Sequence, residues 1–110
     1  MELKKKKLFV YGTLKKGKRL HLYIRDSKFL GEKTIEGYTL FDIGYPLAVK
    51  SKDKKIKGEL YEVDEKAWKT IKMIEETAGY KITNIGDIYF YEYPASRLYP
   101  NIKHIGEEWN

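Results

Sequence analysis

The chain has 110 residues, 22 Lys and Arg against 16 Asp and Glu, no cysteine, and 42% hydrophobic residues. Two separate cores would each fall below the usual domain size, so residues 1–110 are expected to form one domain. The absence of cysteine excludes disulfides, zinc–thiolate sites and cysteine nucleophiles. The only histidines, His21 and His104, lie far apart in sequence, so a metal site or a Ser-His-acid triad is a poor starting hypothesis.

The net charge of +6 is unevenly placed: residues 1–57 are strongly basic and residues 58–110 are net acidic. The run Lys4-Lys5-Lys6-Lys7 has the composition of a phosphate-binding segment. Lysines beside an apolar strand also keep a sheet edge soluble, and the aromatic, arginine-rich stripe of a nucleic-acid surface is not evident. We therefore expect no nucleic-acid partner.

Other compositional features concern source and location. The chain has no Gln, three Asn and abundant Lys and Glu, a composition that resembles that of heat-adapted proteins. The apolar run Leu8-Phe9-Val10 is interrupted by Tyr11-Gly12, so we expect neither a secretory signal nor a membrane span. The sequence thus favours a cytoplasmic protein without a membrane partner.

The first half of the chain predicts short strands in a meander. Leu8 to Tyr11 is an apolar, β-prone run ended by Gly12, and a basic loop follows to Gly17. A short helix is expected over Leu20 to Arg25, from the spacing of Leu20 and Ile24. Further strands are predicted at Phe29-Leu30, Thr34 to Phe41 and Pro46 to Val49, separated by a break at Gly31 and a turn at Asp42-Ile43-Gly44. Another is predicted at Ile56 to Val63, after a charged hairpin turn at Ser51 to Lys55.

The second half contains the clearest helix signal. Asp64 is a suitable N-cap and Gly79 a suitable residue just after the last turn, so a helix is predicted between them. A hairpin through Gly86-Asp87 joins the strands Tyr80 to Ile85 and Ile88 to Tyr93. The segment from Arg97 to Asn110 is expected to be irregular, with Trp109 as an anchor. Many short strands with one good helix predict an α+β domain, in which a strongly curved sheet or small mixed β-barrel packs against short helices.

Glu75 is the most informative residue of the predicted helix. At about 100° per residue it falls on the apolar arc between Ile71 and Trp68, whereas Glu76 lies on the opposite face, within i, i+4 reach of Lys72. A carboxylate on an apolar arc is desolvated, which raises its pKa and suits it to proton transfer near neutral pH. The alternative is that Glu75 sits at the edge of the arc and pairs with a nearby lysine.

A second candidate site is the turn Tyr11-Gly12-Thr13-Leu14, where a strand ends at a glycine. Consecutive unpaired backbone N–H groups at such a turn can bind an anion, and Gly12 permits close approach to the main chain. The stretch from Gly12 to Lys18 also fits the spacing of a phosphate-binding P-loop, but Arg19 stands where that motif requires Ser or Thr. None of the ten tyrosines stands out by its spacing.

Four blocks together resemble the gamma-glutamylcyclotransferase-like family. They are Phe9 to Lys15 (FVYGTLK), Gly44 to Val49 (GYPLAV), Gly58 to Val63 (GELYEV), and Ile71 to Glu75 followed by Tyr80. Their order and spacing agree with the family over roughly residues 8–93. The resemblance implies a small mixed β-barrel with flanking helices.

The resemblance also implies which residues act. In the family the backbone of a Y-G-[ST]-L turn holds the substrate, and a glutamate closing an L-D-x-x-E-G motif is the general base. The matching positions are Tyr11, Gly12, Thr13 and Leu14 for the turn and Glu75 for the base. Lys72 stands where the family has Asp, and Glu76 where it has Gly, so the substrate pocket is expected to differ.

The implied reaction converts a γ-glutamyl amine or peptide into 5-oxoproline and a free amine, without a metal or cofactor. A non-catalytic module that binds a small carboxylate in the same pocket is the alternative. Glu75 separates the two, because a carboxylate in the pocket weakens anion binding by repulsion. The sequence leaves open which γ-glutamyl compound would be the substrate and whether the chain is a monomer or a dimer.

Overall fold

A computed structural model describes residues 5–98 and 100–109. It shows a mixed six-stranded sheet curled into a half-barrel, with one α-helix, which confirms the predicted α+β fold. The strands are β1 (Lys6–Val10), β2 (Lys28–Asp42), β3 (Pro46–Val63), β4 (Lys81–Ile85), β5 (Ile88–Glu92) and β6 (Lys103–Gly106), and the helix is α1 (Glu65–Thr77).

Strand β1 lies in the interior of the sheet, whose strand order is β4-β5-β1-β3-β2-β6. It pairs antiparallel with β3 and parallel with β5, and the other neighbouring strands are antiparallel. Leu8, Phe9 and Val10 are all buried, because a strand covered on both faces is apolar at successive positions. The chain leaves β1 directly into the turn that begins at Gly12.

The β2–β3 hairpin is longer than the sequence suggested. Its turn lies between Asp42 and Pro46, as predicted, and the Asp42 carboxylate accepts a hydrogen bond from the Gly44 amide at 2.8 Å. The predicted turn at Ser51 to Lys55 was wrong: Lys50 pairs with Tyr38 and Lys55 with Glu36, so residues 51–54 bulge out of a continuous strand. A glycine at position 37 with a positive φ of 89° lets β2 pass the bulge.

The break predicted at Gly31 was also wrong, because β2 runs through it. Gly31 has a φ of 120°, and the register shifts between the Phe29–Tyr61 pair and the Gly31–Leu60 pair. Glycine in a strand interior therefore marks a bulge here and not a strand end.

The ends of helix α1 agree with the sequence prediction. The Asp64 side chain accepts a hydrogen bond from the Ala67 amide at 2.8 Å, as an N-cap does. Gly79 follows the C-cap residue Ala78. With a φ of 96°, Gly79 adopts the left-handed conformation that commonly ends helices. The buried Ile71 side chain anchors the helix to the core. The hairpin of β4 and β5 through Gly86-Asp87 is likewise confirmed.

Two segments differ from the prediction. Leu20 to Arg25 contains only the 3₁₀ turn His21–Tyr23 and no α-helix. The segment after Arg97 is not wholly irregular, because β6 pairs with β2 at the sheet edge. Within residues 5–98 and 100–109, no helix is long and apolar enough to cross a membrane.

Candidate active site

One cleft brings together the two sites that the sequence singled out. Its open volume, including the mouth, is about 350 Å³. Glu75, from the last turn of α1, lines it opposite the end of β1 and the turn that follows. The complete lining is Leu8, Phe9, Val10, Tyr11, Gly12, Thr13, Leu14, Pro46, Glu75, Tyr80 and Tyr91.

The carbonyls of the turn all accept internal hydrogen bonds. Gly12 O accepts from the Lys15 amide at 2.9 Å, and Thr13 O accepts from the Leu20 amide at 2.8 Å. Leu14 O lies 2.9 Å from Nδ1 of His21, which must donate because a carbonyl only accepts. The N–H of each trans peptide points away from its C=O, so the Thr13 and Leu14 amides are directed away from these partners. Among the described residues we find no acceptor for either amide, which leaves both available to a ligand in the cleft.

Gly12 is held tightly against the start of β3. A Cβ at this position would lie 2.5 Å from Pro46 Cγ and 2.9 Å from Pro46 Cδ. These distances are too short for a carbon–carbon contact, so only glycine permits this approach. The requirement is one of space, since Gly12 is not among the residues with positive φ.

Two buried tyrosines fix the walls of the cleft. The Tyr11 hydroxyl donates to the carbonyl of Tyr91, and the Tyr80 hydroxyl donates to the carbonyl of Pro46 at 2.6 Å. Burial raises the pKa of both hydroxyls well above its usual range, so both remain protonated donors. Tyr80 thereby connects the end of α1 to the proline that packs on Gly12.

Glu75 has the electrostatics of a proton-transfer group. Burial raises its pKa from 4.5 to about 7, because desolvation disfavours the charged carboxylate. It forms no salt bridge with a described lysine, arginine or histidine. The alternative reading, in which Glu75 pairs with a lysine at the edge of the arc, is therefore not what the structure shows.

Glu76 lies on the other face, as the helical arc predicts. Its carboxylate is exposed and lies 3.7 Å from Lys72 Nζ. The two departures from the family motif, Lys72 and Glu76, thus form an ion pair with each other on the solvent side of α1. Neither residue lines the cleft.

Sequence reasoning did not identify Tyr80 and Tyr91 as cleft residues. Tyr80 closely follows the helix and completes one of the family blocks, which is a weak signal for its position. Tyr91 is buried on β5 beside the buried Phe90, and nothing in its spacing distinguishes it. Among the residues that the structure describes, no cluster of three or more His, Cys, Asp or Glu side chains is arranged to hold a metal ion.

These observations define a small α+β protein in which one desolvated carboxylate faces a backbone turn across a cleft. The chain belongs to the family described as gamma-glutamyl cyclotransferase, AIG2-like, whose model matches residues 8–105.

Individual relatives support this assignment. A Pyrococcus horikoshii protein, provisionally named a gamma-glutamylcyclotransferase, is 45% identical over 101 residues, which cover 88% of this chain and 86% of the relative. A Niallia circulans protein named gamma-L-glutamyl-butirosin B gamma-glutamyl cyclotransferase is 38% identical over 74 residues, covering 66% of this chain and 47% of the relative.

Solved structures show the same fold. The crystal structure of an uncharacterised Pyrococcus horikoshii protein superposes with a TM-score of 0.78 at 40% identity, over 92% of this chain and 86% of the other. A mouse AIG2-like protein gives a TM-score of 0.79 over 96% of this chain and 88% of the other, and its 23% identity supports the fold alone.

Proposed function

We propose that the protein is a γ-glutamylcyclotransferase that converts a γ-glutamyl amine or peptide into 5-oxoproline and the free amine. The observation that carries this proposal is the position of Glu75. It lines the same cleft as the Gly12 to Leu14 turn, and burial there raises its pKa to about 7. A general base works best when its pKa lies near the operating pH.

In the proposed reaction the substrate supplies both nucleophile and carbonyl. Glu75 takes a proton from the α-ammonium group, and the resulting amine attacks the γ-carbonyl carbon to form the new C–N bond. The tetrahedral intermediate collapses as the bond to the leaving nitrogen breaks. Protons released by the α-nitrogen pass through Glu75 to the leaving amine, so Glu75 ends the cycle as it began. No enzyme nucleophile is needed, and the protein chiefly fixes the conformation of the substrate.

The turn is proposed to bind the substrate through its main chain. The free Thr13 and Leu14 amides are suited to the negative oxygens of the substrate, either the α-carboxylate or the oxyanion that forms at the γ-carbonyl. Gly12 and its contact with Pro46 set the position from which these amides donate. Tyr11 completes the set of residues proposed to bind substrate.

The names of the relatives fit this substrate class. The Niallia circulans relative is named a gamma-glutamyl cyclotransferase of gamma-L-glutamyl-butirosin B. Neither Lys72 nor Glu76, the two departures from the family motif, lines the cleft, so they do not indicate the leaving amine, which is best found by assay.

The experiment is an assay of 5-oxoproline release from γ-glutamyl amino acids, γ-glutamyl amines and glutathione. Glu75→Gln is expected to lower kcat by roughly 10²- to 10⁴-fold, the usual contribution of a positioned general base. Glu76→Gln is the matched control, because the same change is made one residue away on the exposed face, and it should leave kcat within about twofold of the unmodified protein.

Two outcomes would contradict the proposal. Undiminished turnover in Glu75→Gln would remove the proton-transfer role. If no compound is turned over but one of them raises the melting temperature, and Glu75→Gln binds it more tightly, the non-catalytic carboxylate-binding module is correct.

A further inference from the structure

The loop behind the cleft turn contains a buried lysine. Lys15 directly follows Leu14 and only 7% of its surface is exposed, whereas the next residue, Lys16, is exposed. A buried ammonium group needs hydrogen-bond acceptors to offset its loss of hydration. Lys15 Nζ donates to the backbone carbonyl of Trp109 at 2.6 Å. The side chain therefore joins the loop to a segment 94 residues away.

Trp109 is itself held in place on several sides. Its half-buried ring packs against the core, and Lys18 Nζ lies 5.1 Å from the ring centroid, within the range of a cation–π interaction. Two residues earlier, Glu107 O accepts a hydrogen bond from the Lys57 amide on β3 at 2.7 Å. Strand β6 pairs with β2 at the sheet edge. Residues 103–109 are thus bonded in turn to β2, to β3 and to the loop that contains Lys15.

Lys15 connects this segment to the cleft turn. Its amide closes the turn by donating to Gly12 O, while its side chain is anchored on Trp109. The next amide, that of Lys16, donates to the Glu59 carboxylate on β3 at 2.8 Å. Rotating the turn would break these bonds, so the directions of the Thr13 and Leu14 amides depend on them.

We propose that Lys15, Lys18 and Trp109, here called the Trp109 clasp, are positioning residues that hold the Gly12 to Leu14 turn in its substrate-binding conformation. This inference rests on the proposed function, because it assigns the clasp to substrate binding through the turn. None of the three clasp residues lines the cleft, so the clasp affects substrate affinity more than proton transfer.

The test compares Lys15→Met, which removes the donor at similar length, with Lys16→Met, the same change at the exposed neighbour. Lys15→Arg, which keeps a donor, is the conservative variant. Hydrogen exchange is measured at the amides of residues 15 and 20, which donate to Gly12 O and Thr13 O, and at reference amides of β3, together with kcat, KM and the pH profile of kcat.

Lys15→Met is expected to raise the exchange rates of the amides of residues 15 and 20, and KM, by roughly tenfold or more, the effect of losing a hydrogen bond to a charged group. The β3 exchange rates and the acid limb of the pH profile should not move. Lys16→Met should match the unmodified protein, and Lys15→Arg should recover most of the loss. Trp109→Ala should act in the same direction as Lys15→Met, and carries the test if Lys15→Met fails to fold.

The exchange data separate this inference from the proposed function. Unchanged exchange at the amides of residues 15 and 20 in a folded Lys15→Met or Trp109→Ala protein would overturn the clasp, whatever the activity. Equal effects of Lys15→Met and Lys16→Met would also overturn it. A third outcome is also informative. If exchange at the turn is faster in Lys15→Met, but the unmodified protein releases no 5-oxoproline from any compound, the clasp is upheld as a constraint on the turn and the cyclotransferase is refuted.

Discussion

Two adjacent glutamates on one helix have opposite surroundings. Glu75 lines a cleft and its pKa is raised by burial to about 7, while Glu76 is exposed and lies beside Lys72. A rotation of about 100° around the helix axis separates the two environments. The surroundings of each glutamate thus depend on its angular position on the helix and not on its type.

The raised pKa of Glu75 has a consequence for stability. Because this pKa is about 7 in the folded protein and 4.5 without burial, the folded state binds more protons between those pH values. Stability from this group is therefore present at low pH and is lost as pH rises toward 7. At pH 8 the free energy of unfolding of Glu75→Gln should exceed that of the unmodified protein by about 1–3 kcal/mol. The difference should vanish near pH 4.

Urea unfolding of both proteins from pH 4 to pH 8 measures this difference, with Glu76→Gln as the control for loss of a charge. A stability difference that stays constant over this range would show that Glu75 is not desolvated in the folded protein.

Gly12 allows a prediction about space. Gly12→Ala places a Cβ 2.5 Å from Pro46 Cγ and should destabilise the fold by about 1–3 kcal/mol, as overpacking does. It should also displace the turn and raise KM. Removing the obstacle in the double variant Gly12→Ala with Pro46→Ala should recover part of both losses relative to the sum of the single changes. Simple additivity in thermal unfolding and KM would show that the contact is not the cause.

At the scale of elements, α1 supports Glu75, the proposed general base. Its N-cap, Asp64, lies at the end opposite Glu75. Asp64→Ala should lower the free energy of unfolding by about 1 kcal/mol, because the Ala67 amide loses its acceptor. Asp64→Asn keeps a capping oxygen and should lose much less. Urea denaturation measures both, and kcat at a temperature where each variant is folded should be unchanged; a large fall in kcat for Asp64→Ala would mean that the cap positions Glu75.

The elements predicted from the sequence are those with local signals. The ends of α1 follow from Asp64 and Gly79, and the β4–β5 hairpin follows from Gly86-Asp87, because each depends on neighbours within a few residues. The bulge at residues 51–54 and strand β6 depend on pairing with distant parts of β2. No local pattern determines such pairing, which explains both errors.

The candidate site shows the same division. Helix periodicity places Glu75 on the apolar face, and the glycine turn marks Gly12 to Leu14. The residues that surround them are determined by tertiary packing. Residue spacing therefore could not predict the positions of Tyr80 and Tyr91 in the cleft or the contact of Lys15 with Trp109. Only the resemblance to the family connected the two candidate sites, Glu75 and the Tyr11 to Leu14 turn; composition alone does not connect them.

At the scale of the whole molecule, the charge is concentrated in the half that contains the turn. Residues 1–57 are strongly basic, and their positive electrostatic field attracts anionic substrates. Salt screens this attraction, and the screening length is about 10 Å in 0.1 M salt. For a net anionic γ-glutamyl peptide, kcat/KM should fall about two- to fivefold between 20 mM and 500 mM NaCl, with kcat unchanged. A γ-glutamyl amide without net charge serves as the control, and an equal decline for both substrates would contradict electrostatic attraction.

The interior position of β1 has a kinetic meaning. Lys6 pairs with Val63 on β3 and Lys7 with Ile88 on β5, so the strand that leads into the cleft turn is joined only to residues far along the chain. Contacts of large sequence separation form late, because closing a long loop loses more chain entropy than closing a short one. The β2–β3 hairpin can assemble early from near neighbours, whereas the cleft exists only after both sides of β1 are occupied. During refolding, completion of the cleft would thus be the last event, after the sheet has begun to form.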